Sequence, residues 1–181
     1  MAEYFLVKPG SRGDMFSAFT DRVMCFSLQA LHIHNNHLRT LPGEMISLRK
    51  LFILVLAFNH FEVIPAVVPQ LTDVRISEVE NIIMAGNQIQ SLPAEVITKM
   101  RYVKKADFRM NDLTLPPSEV ARFTALEHLT HLDIRDNRID ELDIRVVKTL
   151  EYLNCERNAM YSLQVNGTAL KNLLVAHNCK W

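Results

Sequence analysis

One spelling recurs seven times along this chain: an apolar residue, two others, an apolar residue, one other, an apolar residue, two others, then Asn. The first copy is Leu28, Leu31, Ile33 and Asn36. The next three are Leu51-Leu54-Leu56-Asn59, Val79-Ile82-Met84-Asn87 and Val103-Ala106-Phe108-Asn111. The last three are Leu129-Leu132-Ile134-Asn137, Leu150-Leu153-Cys155-Asn158 and Leu170-Leu173-Val175-Asn178. Six of the seven continue to another apolar residue two places after the Asn: Leu38, Phe61, Ile89, Leu113, Ile139 and Met160. Successive asparagines lie between 20 and 28 residues apart. A unit of that length cannot bury its own apolar face, so its copies must stack on one another.

This is the leucine-rich-repeat pattern. It predicts an α/β solenoid of about seven repeats, a curved horseshoe with a parallel sheet on the concave side and short helices and turns on the convex side. Each repeat gives a short strand around its second and third apolar positions. Alternation within "LHI", "LVL", "LDI" and "LNC" sends the apolar residues inward and the middle one outward. Residues 27–181 form the array, with an incomplete C-terminal repeat. Residues 1–26 precede it, and Phe16, Phe19, Val23 and Phe26 are spaced to share one face of a capping helix. The last repeat offers Leu170, Leu173, Val175 and Trp181 to no cap, so weak self-association is expected there.

The return segments are clearest early in the chain. In "LRTLPGEM", "FEVIPAVV" and "IQSLPAEV", Pro42, Pro65 and Pro93 follow an apolar anchor and can open helical turns, where a missing amide costs little. Ala94–Met100 is the best helix candidate. Val68–Val79 is longer and holds Pro69, so it reads as a surface loop. Asp140–Thr149 is tighter and reads as irregular.

The seven asparagines, Asn36, Asn59, Asn87, Asn111, Asn137, Asn158 and Asn178, have a structural task. Where the chain leaves each strand, its peptide groups point inside with no ladder partner. An amide side chain can donate to one turn and accept from another, and a buried polar column must be satisfied.

The outward residues line the concave surface. In the first three repeats they are mostly apolar: Ala30, Ile53, Val55, Ala57, Phe58, Ile83 and Ala85. Later they are charged or polar, with Lys105, Asp107, Arg109, His131, Asp133, Arg135, Glu156 and Arg157 as the candidate partner-binding set. Asp136 and Asn154 lie among them. Arg109 and Arg135 share one column, and Asp107 and Asp133 another. Such a strip can recognise a protein, since arginine forks reach carboxylate or phosphate. It can equally be a solvated face of mutually paired charges. The apolar half can instead be covered by a further segment of chain.

Other chemistry is poorly supported. Lys and Arg number 20, Asp and Glu 20, so there is no basic field for nucleic acid or an acidic membrane. No apolar run is long enough for a membrane helix, and Tyr4–Val7 after Glu3 is too short for a secretory signal. The three cysteines, Cys25, Cys155 and Cys179, include no Cys-x-x-Cys pair, and Cys155 falls at a core-facing position. A reducing, cytoplasmic setting follows. His32 and His34 share a strand face, with His37 and His60 nearby, but no further ligand completes a shell, so neither a metal nor another cofactor is expected. Arg12–Asp14 spells RGD, and Asn166-Gly167-Thr168 spells a glycosylation acceptor; neither has an extracellular context. No nucleophile–base pair or phosphate-cradling glycine loop is present, so no catalytic residue is assigned.

Between Val79 and Asn178, "IMAGNQIQSL", "KKADFRMNDL", "LTHLDIRDNRIDELDI" and "LEYLNCERN" resemble the repeat region of the PH-domain leucine-rich-repeat protein phosphatases. Generic repeats do not require "MAGN", "RMN", "RDNR" or "CERN". Residues 27–78 fit only as ordinary repeats. In the resembled family the repeats lie between a PH domain and a metal-dependent Ser/Thr phosphatase domain that removes activating phosphates from kinases. The family's catalytic residues are metal-binding aspartates of that phosphatase domain, and Asp133 and Asp136, in a strand and its turn, are not among them. The resemblance therefore implies a non-catalytic interaction or targeting segment, with a protein partner on the concave face. The chain ending at Trp181 reads as a fragment, short isoform or truncated gene model. The alternatives are part of a Ser/Thr phosphatase whose catalytic domain lies elsewhere, or an extracellular repeat receptor.

Overall fold

The computed structural model describes residues 4–6, 27–72 and 79–178. Its main sheet is parallel and eight-stranded. The strands are β1 (Tyr4–Leu6), β2 (Ala30–His32), β3 (Ile53–Val55), β4 (Asn81–Ile83) and β5 (Lys105–Asp107), then β6 (His131–Asp133), β8 (Tyr152–Asn154) and β10 (Asn172–Leu174). β1 pairs with β2 and adds a strand that the repeat spelling does not include. The capping face of Phe16, Phe19, Val23 and Phe26 lies outside the described residues, as do Arg12–Asp14, Cys25, Cys179 and Trp181.

The register makes the repeats stack residue on residue. Leu31, Leu54, Ile82, Ala106, Leu132, Leu153 and Leu173 form one column across the sheet. All but Leu173 are buried in one continuous core. Strands stop after three residues because the chain then turns sharply. The residue before each ladder asparagine is left-handed: Asn35, Phe58, Gly86, Met110, Asp136, Arg157 and His177, with φ from 50° to 65°.

The asparagines close these turns. Asn111 Nδ2 donates to Phe108 O of its own turn (2.9 Å) and to Met84 O of the preceding one (3.0 Å). Its Oδ1 accepts from Ile89 N of the preceding repeat (3.0 Å). Asn59, Asn87, Asn137, Asn158 and Asn178 repeat this set. Asn36, under the first repeat, donates to Ile33 O and His34 O.

On the convex side, proline does open the early returns. A 3-10 turn at Gly43–Ser47 follows Pro42, and α2 (Ala94–Ile97) follows Pro93. The stretch read as a surface loop at Val68–Val79 instead begins with the helical turn α1 (Val68–Leu71), in which Val68 and Leu71 are buried. Pro69 sits in its first turn, where no amide is needed. Residues 73–78 are outside the described set. α3 (Pro117–Val120) runs into a 3-10 turn at Ala121–Ala125. The Asp140–Thr149 return, expected to be irregular, holds the strand β7 (Glu141–Asp143), which pairs in parallel with β9 (Ser162–Gln164) as a second small sheet. The missed signal was the alternation Glu141-Leu142-Asp143-Ile144: Leu142 and Ile144 are each 1% exposed, while the acidic residues face out.

Candidate functional site

The charged strip is built on β5, β6 and β8. Register places Lys105, His131 and Tyr152 in one column and Asp107, Asp133 and Asn154 in the next. Each residue of the second column accepts a bond from the backbone two positions on. Arg109 N reaches Asp107 Oδ1 at 3.1 Å, Arg135 N reaches Asp133 Oδ1 at 3.2 Å, and Glu156 N reaches Asn154 Oδ1 at 3.1 Å. These side chains therefore brace the turn as well as face the concavity.

The arginines divide into two states. Arg109 Nε lies 3.4 Å from Asp107 Oδ2 and Arg135 Nε 3.5 Å from Asp133 Oδ2, single long contacts that leave most of each fork's donors unengaged by that carboxylate. Arg157 is clamped on Asp136, with Nε–Oδ1 at 2.5 Å and Nη2–Oδ2 at 3.0 Å. That fork holds the Asp136 carboxyl below its ordinary value. Burial instead pushes Asp107 and Asp133 above theirs, against the opposing pull of the backbone bonds and arginines. His131 stacks on Tyr152, centroids 5.7 Å apart and planes 17° from parallel. Burial, then the charge of Lys105, lowers its pKa.

The apolar half of the concave face is largely closed to solvent. Ala30, Val55, Ala57 and Ala85 are buried, and Ile53 and Ile83 pack against the last three. Alanines among larger neighbours present little area, and Phe58 folds its ring against Gly86. Phe58 itself stays 43% exposed.

Elsewhere, His37 Nδ1 and His60 Nε2 are 3.0 Å apart, sharing a hydrogen bond, and His32 meets His34 edge-on at 6.2 Å. Among the described residues no group of three His, Cys, Asp or Glu side chains is placed to hold a metal. Cys155 is buried, and desolvation pushes its thiol up to about 12, so it is not a nucleophile at neutral pH. No helix among the described residues is long and apolar enough to cross a membrane.

Known structures share this architecture. A chain of the TLR13–ssRNA13 complex superposes with a TM-score of 0.71 at 24% identity, over 84% of this chain and 22% of that one. The APL1 leucine-rich repeat domain gives 0.70 at 18% identity, over 85% of this chain and 38% of that one. The functional domain of InlJ from Listeria monocytogenes gives 0.65 at 23%, over 83% and 30%. The chain has the leucine-rich-repeat fold. No family model matches it. In sequence it is similar to the PH domain leucine-rich repeat protein phosphatases: 36% identical to phosphatase 1 of Mus musculus over 104 residues and 34% identical to that of Homo sapiens over 100. Those alignments cover 58% and 55% of this chain and 6% of each relative, so the chain matches only a small part of their length.

Proposed function

We propose that this chain is a non-catalytic protein-interaction module, the targeting repeat segment of a cytoplasmic signalling protein related to these phosphatases. The observation that carries the reading is the state of Arg109 and Arg135. Two guanidinium groups stand in neighbouring repeats on the concave face, each tethered by one long contact. A partner's carboxylate or phosphate can take the remaining donors in pairs. Arg157 is a supporting member, since its fork must first leave Asp136. Lys105, His131 and Glu156 complete the surface, and the aspartates hold the turns from which the arginines project.

The test is affinity capture from lysate with the chain and with an Arg109→Glu, Arg135→Glu, Arg157→Glu variant. The variant loses the captured partners while keeping the circular dichroism spectrum of the parent. Full capture by a folded variant would move the site elsewhere. A second reading, favoured by the relatives' names, is that the segment serves a Ser/Thr phosphatase whose catalytic domain lies outside this sequence. In either case the chain itself does not turn over an aryl phosphate with added manganese; turnover abolished by a point substitution within the chain would refute this.

A further inference from the structure

Two large apolar side chains stand in solvent at backbone positions poorly suited to them. The left-handed residues form a row across the repeats: Phe58 N donates to Ala85 O (2.7 Å), Gly86 N to Arg109 O (2.9 Å) and Met110 N to Arg135 O (3.0 Å). Asn35, Gly86 and Asp136 are residue types that accept a positive φ, whereas Phe58 (φ 54°) and Met110 (φ 56°) are bulky. Burial does little to offset that strain, because Phe58 is 43% exposed and Met110 47%. The ring of Phe58 lies over Gly86, where an added Cβ would come within 2.4 Å of it. The ring thereby reaches the repeat next to that of Met110, and neighbouring strands are about 4.8 Å apart. The fold gains nothing evident from an exposed apolar pair on strained backbone, and a binding surface does.

The pair borders the two loosely tethered arginines. Arg109 precedes Met110 in the chain, and Arg135 carries the carbonyl that takes the Met110 amide. We propose that Phe58 and Met110 are the apolar anchor for an acidic segment of a partner protein, which lays a Leu, Met or Phe against them and a carboxylate on the Arg109–Arg135 pair. Aromatic and thioether side chains beside arginine are the composition of an interface centre. Charge selects the carboxylate. Asp107 and Asp133 already lie 3.4 and 3.5 Å from these two forks, and Asp136 occupies Arg157. A phosphate brings nearly two charges against those aspartates, a carboxylate one. The anchor rests on the reading of Arg109 and Arg135 as partner contacts. It adds what the arginines alone lack, a choice among acidic segments by their apolar residue.

A phage-displayed library of random dodecapeptides is selected on the full chain, and the enriched peptide is synthesised and titrated by anisotropy. Enriched sequences are expected to place Leu, Met or Phe within about one helical turn of Asp or Glu. Changing that apolar residue to Ala should weaken binding to the unaltered chain about tenfold or more. Phe58→Asn with Met110→Asn should do the same, yet melt no lower than the parent, because Asn suits a positive φ. Binding kept by this variant but lost by Arg109→Glu with Arg135→Glu would overturn the anchor and leave the arginine site standing; binding kept by both would overturn the two together. A clearly lower melting temperature for the Asn variant would show that the two side chains serve the fold, and would overturn the anchor. So would equal binding of the Ala peptide, tighter binding when its acidic residue becomes phosphoserine, or no enriched sequence.

Discussion

The residue before each ladder asparagine carries the tightest local demand in the protein. Six of these seven left-handed positions hold a side chain, at roughly 1–2 kcal/mol of backbone strain each. The asparagine that follows offsets the strain by tying down the turn. Gly86 is the exception, and a Cβ there would land on the ring of Phe58. That ring is exposed and can swing away, so Gly86→Ala should destabilise by only about 1–2 kcal/mol, the ordinary left-handed penalty. Urea denaturation should show this loss, and placing Phe58→Ala in the same chain should remove the steric part alone. An unchanged midpoint would mean that the left-handed turn is not maintained. Asn137→Ala should cost about 1–3 kcal/mol by stranding the peptide groups of Phe108, Ile134 and Leu113. Asn166→Ala should cost far less, since that residue lies in an exposed return with one 3.5 Å donor bond and one accepted from Thr168. Equal midpoints for the two variants would contradict the ladder role.

At the scale of elements, β5, β6 and β8 make a natural experiment. Their second outward column reads Asp107, Asp133, Asn154, and all three brace a turn by the same bond. Burial raises both aspartate pKa values above the unfolded ones. The folded chain therefore holds protons longer, and stability falls as pH rises from the unfolded aspartate value through the folded one. Asp107→Asn with Asp133→Asn copies Asn154, keeps the bracing bond and removes that fall. At pH 7 the double variant should be at least as stable as the parent, and its stability should be flatter across the acidic range; a clearly lower melting temperature at pH 7 would show that the ion pairs to Arg109 and Arg135 outweigh the burial. Strand positions were legible because each repeat prints its apolar column and its asparagine. The convex elements were less so. Pro69 looked like a loop marker but sits in the first turn of α1, and Glu141-Leu142-Asp143-Ile144 was too short to stand out as a strand. The concave charges were visible in sequence, but their pairing was not. Nothing in a string of letters says that Arg157 closes on Asp136 across 21 residues while Arg109 and Arg135 turn back on their own strands.

For the whole molecule the question is what a stack does at the last strand of its sheet. Equivalents of Leu173 in the core column, such as Leu54, Ile82 and Leu132, are no more than 2% exposed, because a following repeat covers them. Leu173 itself is 43% exposed, with Leu174 at 38% and Val175 at 42% beside it. Among the described residues β10 also ends the sheet order, so half of its peptide groups meet no strand there. An apolar strip beside unpaired peptide groups is the template that sheet edges use for association. The 181-residue chain should therefore associate as its concentration rises, through β10. Leu173→Lys with Val175→Lys should shift sedimentation toward monomer without altering the circular dichroism of the interior repeats. Appending two family-like repeats should achieve the same shift and raise the melting temperature, since each added interface buries what the edge exposes. A parent chain that is monomeric at the highest attainable concentration, with no gain on extension, would mean that the edge is already covered.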